Sequence, residues 1–327
     1  MDWNGKSVLV TGATGLLGAH VAKKLAQQGA EVVAIVRDDV PKAYFYSEGL
    51  DRKVSSVRGG LEDYSLVERA MNEYETEVCL HLGAQAIVTT ANRSPLSTFE
   101  ANIKGTWNVL EAARNSNLLK SLVVASTDKA YGTGSNLPYR ETDRLAASHP
   151  YDVSKACADM LCSAYFHTYD LPVGVTRCGN IFGEGDLNFS RIVPGTTRSI
   201  IMGQRPVIRS DGKMVRDYIY VDDVVDANLA LAQAVLEGKC RGDAFNFSYE
   251  QPKSVLELVD CIRKAMKSSL EPIVLNQASN EIREQYLSCR KAREKLGWKP
   301  KIDFDGGLKR TIGWYEGCLK KARGRFP

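Results

Sequence analysis

The chemistry of this chain starts with Tyr151 and Lys155, which stand four residues apart. In a helix that spacing puts both side chains on one face. An ammonium beside a phenol favours the tyrosinate and pulls its pKa below the usual value of about 10. The pair then forms a base that takes the proton from a hydroxyl while hydride leaves the same carbon. Y-x-x-x-K is a loose pattern in a chain with 14 tyrosines, and Tyr249 with Lys253 fits it too. Pro252 disfavours a helix through that second pair. Pro150, by contrast, stands where a helix start accepts proline. Upstream, the apolar run Leu122–Ala125 ends in Ser126-Thr127-Asp128-Lys129. Polar groups at the carboxyl end of a buried strand are where α/β enzymes keep their chemistry. Read alone, Ser126-Thr127-Asp128 also suits a helix cap.

A second constellation lies near the N-terminus. Gly12, Gly15 and Gly18 give G-x-x-G-x-x-G between a strand pattern, Ser7–Val10, and a helical one, Leu16–Gln28. Glycine leaves room for a tight turn and for the close approach of a pyrophosphate, which the N–H groups of the helix start then face. The context predicts a bound dinucleotide. At the end of the second strand pattern, Glu31–Val36, come Arg37 and Asp38. Arg37 suits a 2′-phosphate and gives a slight lean toward NADP over NAD, while Asp38 suits ribose hydroxyls.

The elements that must hold these residues alternate. Val54–Val57, Val78–Leu82 and Leu122–Ala125 read as further strands, with helical patterns over Tyr64–Tyr74 and Pro95–Asn115 between them. That alternation predicts an α/β fold, a doubly wound parallel sheet of Rossmann type with a smaller α/β C-terminal substrate lobe. Glycine and proline punctuate the chain after Gly179, so the first lobe is expected over 1–178 with a returning segment at about 216–238. The substrate lobe is expected over 179–215 and 239–327. Helices are expected over Asp222–Leu236, over Ser254–Lys267, and as two pieces near the C-terminus joined at Gly297–Pro300.

Composition narrows the class. In 327 residues the net charge is only +4, and it is spread without a Lys/Arg block, which argues against a nucleic-acid partner. No window approaches a membrane span and the N-terminus lacks an apolar leader, so no membrane partner and a cytoplasmic location are expected. The eight cysteines form no C-x-x-C pair, so a metal site is not expected either.

Several stretches carry a family resemblance: His81-Leu82-Gly83-Ala84-Gln85, Thr98 to Asn102 with Gly105-Thr106, and Ser126 to Tyr131. Pro138 to Glu141, Pro150 to Lys155, Arg177-Cys178-Gly179-Asn180 and Arg216 to Asp223 continue it. With them the sequence resembles the extended short-chain dehydrogenases along nearly its whole length. Within these it is most similar to CDP-glucose 4,6-dehydratases, and Asp128-Lys129 is the informative piece, because sugar 4-epimerases generally lack an acid–base pair there. Many sugar 4,6-dehydratases carry glutamate where this chain has Lys129. The family's Gly-Asp after the third strand is Gly59-Gly60 here, so an adenine contact is absent or replaced.

The resemblance implies a tightly bound NAD(P) and assigns residues to it. Gly12, Thr14, Gly15, Leu16, Leu17 and Gly18 would take the phosphates, and Arg37, Gly60 and Leu61 the adenosine end. Leu82, Gly83, Ala84, Gln85, Asn102, Ala125 and Cys178, with Tyr151 and Lys155, would surround the rest. The implied substrate is a nucleotide-diphosphate sugar, held by Gln85, Thr127, Asn180, Arg191, Arg209 and Arg216, with Arg216 first among the arginines. Catalysis would use Thr127, Asp128, Lys129, Tyr151 and Lys155 in three steps: oxidation at C4, loss of water across C5–C6, and return of hydride to C6. Lys129 would take the C5 proton and Asp128 would protonate the departing hydroxyl. A lysine acts so at neutral pH only if burial or a second cation lowers its pKa by about three units. A homodimer is implied, through helices beginning near Pro95 and Pro150. The rival readings are a 4-epimerase, more distantly a sugar-acid decarboxylase, and a non-catalytic NAD(P) sensor.

Overall fold

Val8 and Val10 turn to one face of the first strand and Leu9 to the other, and all three are buried. Such period-two burial on both faces marks a sheet covered on each side. The fold is seen in a computed structural model that describes residues 2–134, 136–277 and 282–321. Seven strands form the central sheet: β1 (Ser7–Thr11), β2 (Glu31–Val36), β3 (Ser55–Arg58), β4 (Val78–His81), β5 (Ser121–Ala125), β6 (Val173–Cys178) and β7 (Ala244–Phe247). They lie in the order 3-2-1-4-5-6-7 and every pairing is parallel. The order reverses between β1 and β4, so a crevice opens there beyond the carboxyl ends of the strands.

Eight helices matter for the site: α1 (Leu16–Gln27), α2 (Tyr64–Glu73), α3 (Gly105–Asn115), α4 (Pro150–Tyr169), α5 (Ile192–Ile201), α6 (Val221–Leu236), α7 (Val255–Ala265) and α8 (Phe304–Lys321). α1 and α6 cover one face through Val21, Leu25, Val224 and Leu231. α2, α3 and α4 cover the other through Val67, Met71, Val109, Leu110 and Cys162. Each buried aliphatic side chain of this kind contributes about 1.5–3 kcal/mol. A separate cluster holds the second lobe, in which Phe182, Val193, Tyr218, Leu258, Ile262, Phe304 and Leu308 pack together.

Two expectations need correction, and one strand was not foreseen. β7 completes the main sheet by pairing with β6, so the stretch assigned to the second lobe from 239 onward returns a strand to the first. β6 was not legible because Gly174, Thr176 and Arg177 interrupt its apolar run. Arg177 is buried with its guanidinium satisfied by Asp159 on α4 at 2.8 and 2.9 Å and by the Tyr131 hydroxyl at 2.9 Å. Pro95–Asn115, read as one helical pattern, is α-helical over Pro95–Phe99, π-helical over Glu100–Lys104 and α-helical again in α3. The two C-terminal helices do appear, Arg290–Leu296 and α8, the first ended by Gly297 at φ 61°. Among the described residues no helix is long and apolar enough to cross a membrane, and no group of His, Cys, Asp or Glu is placed to hold a metal.

Candidate active site

β1 hands the chain to α1 through a turn that only glycine fits. Gly12 has φ 69°, and a Cβ there would lie 2.6 Å from the Gly83 Cα on the loop after β4. A Cβ on Gly18 would strike the Gly12 carbonyl. α1 starts after Gly15 with no side-chain cap, so its first N–H groups are left to a ligand.

The loops at the strand ends enclose a cleft of about 1500 Å³. A drug-sized ligand needs roughly 300–1,000 Å³, so there is space for two ligands end to end. Gly12, Thr14, Gly15, Leu16, Leu17, Gly18, Arg37, Leu61, Leu82, Gly83, Ala84, Gln85, Ala125 and Cys178 line it. Thr127, Lys129, Tyr151 and Lys155 also reach its wall, and Asn180, Arg191, Arg209 and Arg216 line it beyond. Gly60, Asn102 and Asp128 do not reach the wall. At Gly60 the missing side chain leaves room for the Glu62 carboxylate, which folds over it and lines the cleft in its place. The glycine itself could not have revealed that.

Asn102 works from behind. It sits in the π-helical turn, where its side-chain oxygen accepts from the Gln85 N–H at 2.7 Å. Its amide nitrogen donates to the Gln85 carbonyl at 3.1 Å and to Ser154 Oγ at 2.8 Å. Ser154 in turn donates to the Tyr151 carbonyl at 2.7 Å. One buried side chain thereby ties the loop after β4 to the first turn of α4. His81 braces the same region. Thr106 Oγ1 donates to the Asn102 carbonyl at 2.6 Å and so accepts from His81 Nε2–H at 3.0 Å. His81 Nδ1 then accepts from Thr11 at 2.8 Å, and Thr11 accepts from the Gly83 N–H at 2.9 Å. Burial, with the Lys155 charge adding to it, drives His81 down to about 3, so the ring stays neutral.

α4 begins at Pro150 and carries both Tyr151 and Lys155. Tyr249 and Lys253 share no helix: Tyr249 donates to Asp223 at 3.1 Å and Lys253 lies in a short strand. Burial pushes the Tyr151 phenol up to about 12, with Arg191 and the Thr127 hydroxyl pulling the other way. Burial also takes Lys155 down to about 8, opposed by Cys162 and Asp159. This corrects the expectation that the ammonium brings the phenol below 10. Desolvation outweighs it, and Lys155 is not among the groups that act most on the phenol. Lys155 is buried, and its ammonium has no hydrogen-bond partner among the described residues.

Thr127 proves to be a cap as well as part of the cleft wall. Its hydroxyl accepts from the Lys129 N–H at 3.3 Å and donates to Asp128 Oδ1 at 3.0 Å. Asp128 is 1% exposed, and its Oδ2 has no partner among the described residues. Lys129 Nζ reaches Asp128 Oδ1 at 3.3 Å and Asn180 Oδ1 at 3.0 Å. The Lys129 side chain is part-exposed, and both of these partners are acceptors. Gln285 was missed altogether; it lines the cleft and donates to the Asp128 carbonyl at 2.9 Å across 157 positions of sequence.

The arginines divide. Arg216 donates to the carbonyls of Val215 at 2.8 Å, Ile282 at 2.6 Å and Arg283 at 3.4 Å, bracing the segment that returns to the site. Arg191 pairs with buried Asp186 at 3.0 Å, while Arg209 is exposed on the wall. Arg37 bonds Asp38 at 2.7 Å, both side chains being exposed.

A glycine cradle under an uncapped helix start, a partnerless buried ammonium and a phenol four residues before it on the same helix fit a dinucleotide. With the parallel sheet they define an α/β protein of the extended short-chain dehydrogenase class. The chain belongs to the NAD dependent epimerase/dehydratase family, whose profile its residues 8–247 match. It is 28% identical to the CDP-glucose 4,6-dehydratase of Salmonella typhimurium, over 97% of this chain and 92% of that one. It is 30% identical to UDP-glucuronate 4-epimerase 1 of Arabidopsis thaliana, over 95% of this chain and 77% of that one. The crystal structure of Thermotoga maritima UDP-glucose 4-epimerase with UDP-glucose superposes with a TM-score of 0.88 at 30% identity, covering 96% of this chain and 99% of that one. Dehydratases and epimerases are thus similarly near.

Proposed function

We propose that this chain is a nucleotide-sugar 4,6-dehydratase of the CDP-glucose type, turning a nucleotide-linked hexose into its 4-keto-6-deoxy form. The observation that carries the reading is the Asp128–Lys129 pair, an acid and an amine 3.3 Å apart beside Thr127 at the strand ends. An epimerase has no use for such a pair, since it never breaks the C6–O bond.

A bound dinucleotide would supply the hydride acceptor for the oxidation and the hydride donor for the final reduction. Gly12, Gly15 and Gly18 leave room for its phosphates, and Lys155 offers an ammonium to its ribose. Tyr151 would take the C4 hydroxyl proton as the phenolate. Burial disfavours that state in the free chain, where the phenol is pushed up to about 12, and the positive charge of a bound oxidised nicotinamide would favour it. Thr127 steadies the phenol. The new ketone acidifies the C5 hydrogen. One proton passing from Lys129 to Asp128 arms both groups at once, leaving an amine to take the C5 proton and an acid to protonate the departing hydroxyl. Lys129 returns its proton to C5 when C6 is reduced, and the C4 hydroxyl proton held by Tyr151 restores the Asp128 acid. For lysine and aspartate in water that transfer is uphill by about 6 pK units. Closing the cleft works in its favour, because loss of water disfavours both charged forms.

Of the two dinucleotides we favour NAD, against the lean drawn from Arg37 alone, because Asp38 already neutralises that guanidinium. We also propose a homodimer. A second reading, the 4-epimerase, draws support from the recession of Asp128 from the cleft wall. Incubation with CDP- and UDP-hexoses under mass spectrometry separates them. Loss of one water supports the dehydratase, a mass-silent isomer supports the epimerase, and no product leaves a sensor. Lys129→Met should abolish water loss yet still form reduced nicotinamide in a single turnover. Full turnover in that variant would remove Lys129 from the mechanism.

A further inference from the structure

Asn180 follows Gly179 at the end of β6, and its backbone is fixed. Its N–H donates to the Asp217 carbonyl at 2.8 Å, and Asn180–Phe182 pairs in parallel with Tyr218–Tyr220. What stays undecided by the backbone is which end of the side-chain amide faces the cleft, a choice of roughly two-fold symmetry. Lys129 decides it. An ammonium carries three donors and no acceptor, so it can hold only the oxygen end of an amide. That oxygen lies 3.0 Å from Lys129 Nζ. The amide nitrogen is therefore turned the other way, and among the described residues it has no acceptor. Asp128 Oδ1, 3.3 Å from the same Nζ, keeps the lysine from following the amide if it rotates.

We propose that Lys129 is a positioning residue for the anionic part of the substrate. By holding Asn180 Oδ1 it aims the two N–H donors of the amide into the cleft, where they take a diphosphate oxygen. The inference rests on reading that end of the cleft as the nucleotide-sugar pocket. It gives residue 129 a role that precedes any proton transfer.

The test is a double-mutant cycle on UDP and CDP binding, measured by calorimetry with the full chain. Asn180→Ala should weaken UDP about tenfold, the size of one hydrogen bond to a charged acceptor. Lys129→Met should weaken UDP by roughly three- to tenfold when Asn180 is present and change nothing when it is Ala. Lys129→Arg, which still donates, should bind within about twofold of wild type. Equal loss in both backgrounds would overturn the proposal, since Lys129 would then act as a bare charge. No loss in either would overturn it too. The cycle reads binding alone, so a chain that proves to be an epimerase can still pass. A wild-type chain that binds neither nucleotide would sink the nucleotide-sugar reading and this inference together.

Discussion

Lys155 shows what burial costs a single charged side chain. It is buried without a hydrogen-bond partner among the described residues, and its pKa falls from 10.5 to about 8. A depression of that size corresponds to something on the order of 3 kcal/mol against the charged form. Below pH 8 the folded chain carries this cost in full. Between pH 8 and 10.5 the unfolded chain binds the proton more readily than the folded one, so stability from this group rises with pH across that window. In protein stripped of dinucleotide, Lys155→Met should therefore melt higher than wild type at pH 7, by up to about 3 kcal/mol, with the gain shrinking toward pH 10. Its turnover should fall to background. A variant no more stable than wild type at pH 7 would mean that the ammonium is solvated.

Elements position these groups by ties that cross between them. The π-helical turn at Glu100–Lys104 aims Asn102 at the loop after β4 and at Ser154 on α4. Insertions of this kind are frequent at functional sites, where they redirect a side chain that regular α-helix would send elsewhere. Asn102→Ala removes three hydrogen bonds and strands their buried partners. The cost should be about 2–3 kcal/mol by chemical denaturation, together with weaker dinucleotide binding, since Gln85 lines the cleft. Loss of stability with unchanged dinucleotide affinity would limit Asn102 to a structural tie. Legibility in the sequence follows the same division. The glycine turn and the start of α4 were readable because local sterics set them: glycine where a Cβ collides, proline where a helix begins. The π turn was not, because its register depends on what Asn102 meets across the fold.

For the whole molecule, the proposed second copy of the chain has a surface to meet. Leu96 is 70% exposed, Met160 64% and Trp107 43%, on the helix Pro95–Phe99, on α4 and on α3, the first and last of which both pack on α4. Large exposed apolar side chains gathered on neighbouring helices mark an interaction site. Leu96→Glu with Met160→Glu should convert a dimer to a monomer in sedimentation analysis while leaving the melting cooperative. A wild-type chain that sediments as a monomer at micromolar concentration would end that proposal.

The sequence by itself determined the alternating α/β architecture, the dinucleotide turn and the tyrosine–lysine helix, because each rests on neighbours in the chain and on backbone sterics. Only the tertiary structure decided the seventh strand, the carboxylate of Glu62 over Gly60, the approach of Gln285 and the grip of Lys129 on Asn180. It also decided the state of Tyr151. Solvation and hydrogen bonding depend on which groups fold against a side chain, and the linear order of residues carries no measure of that distance.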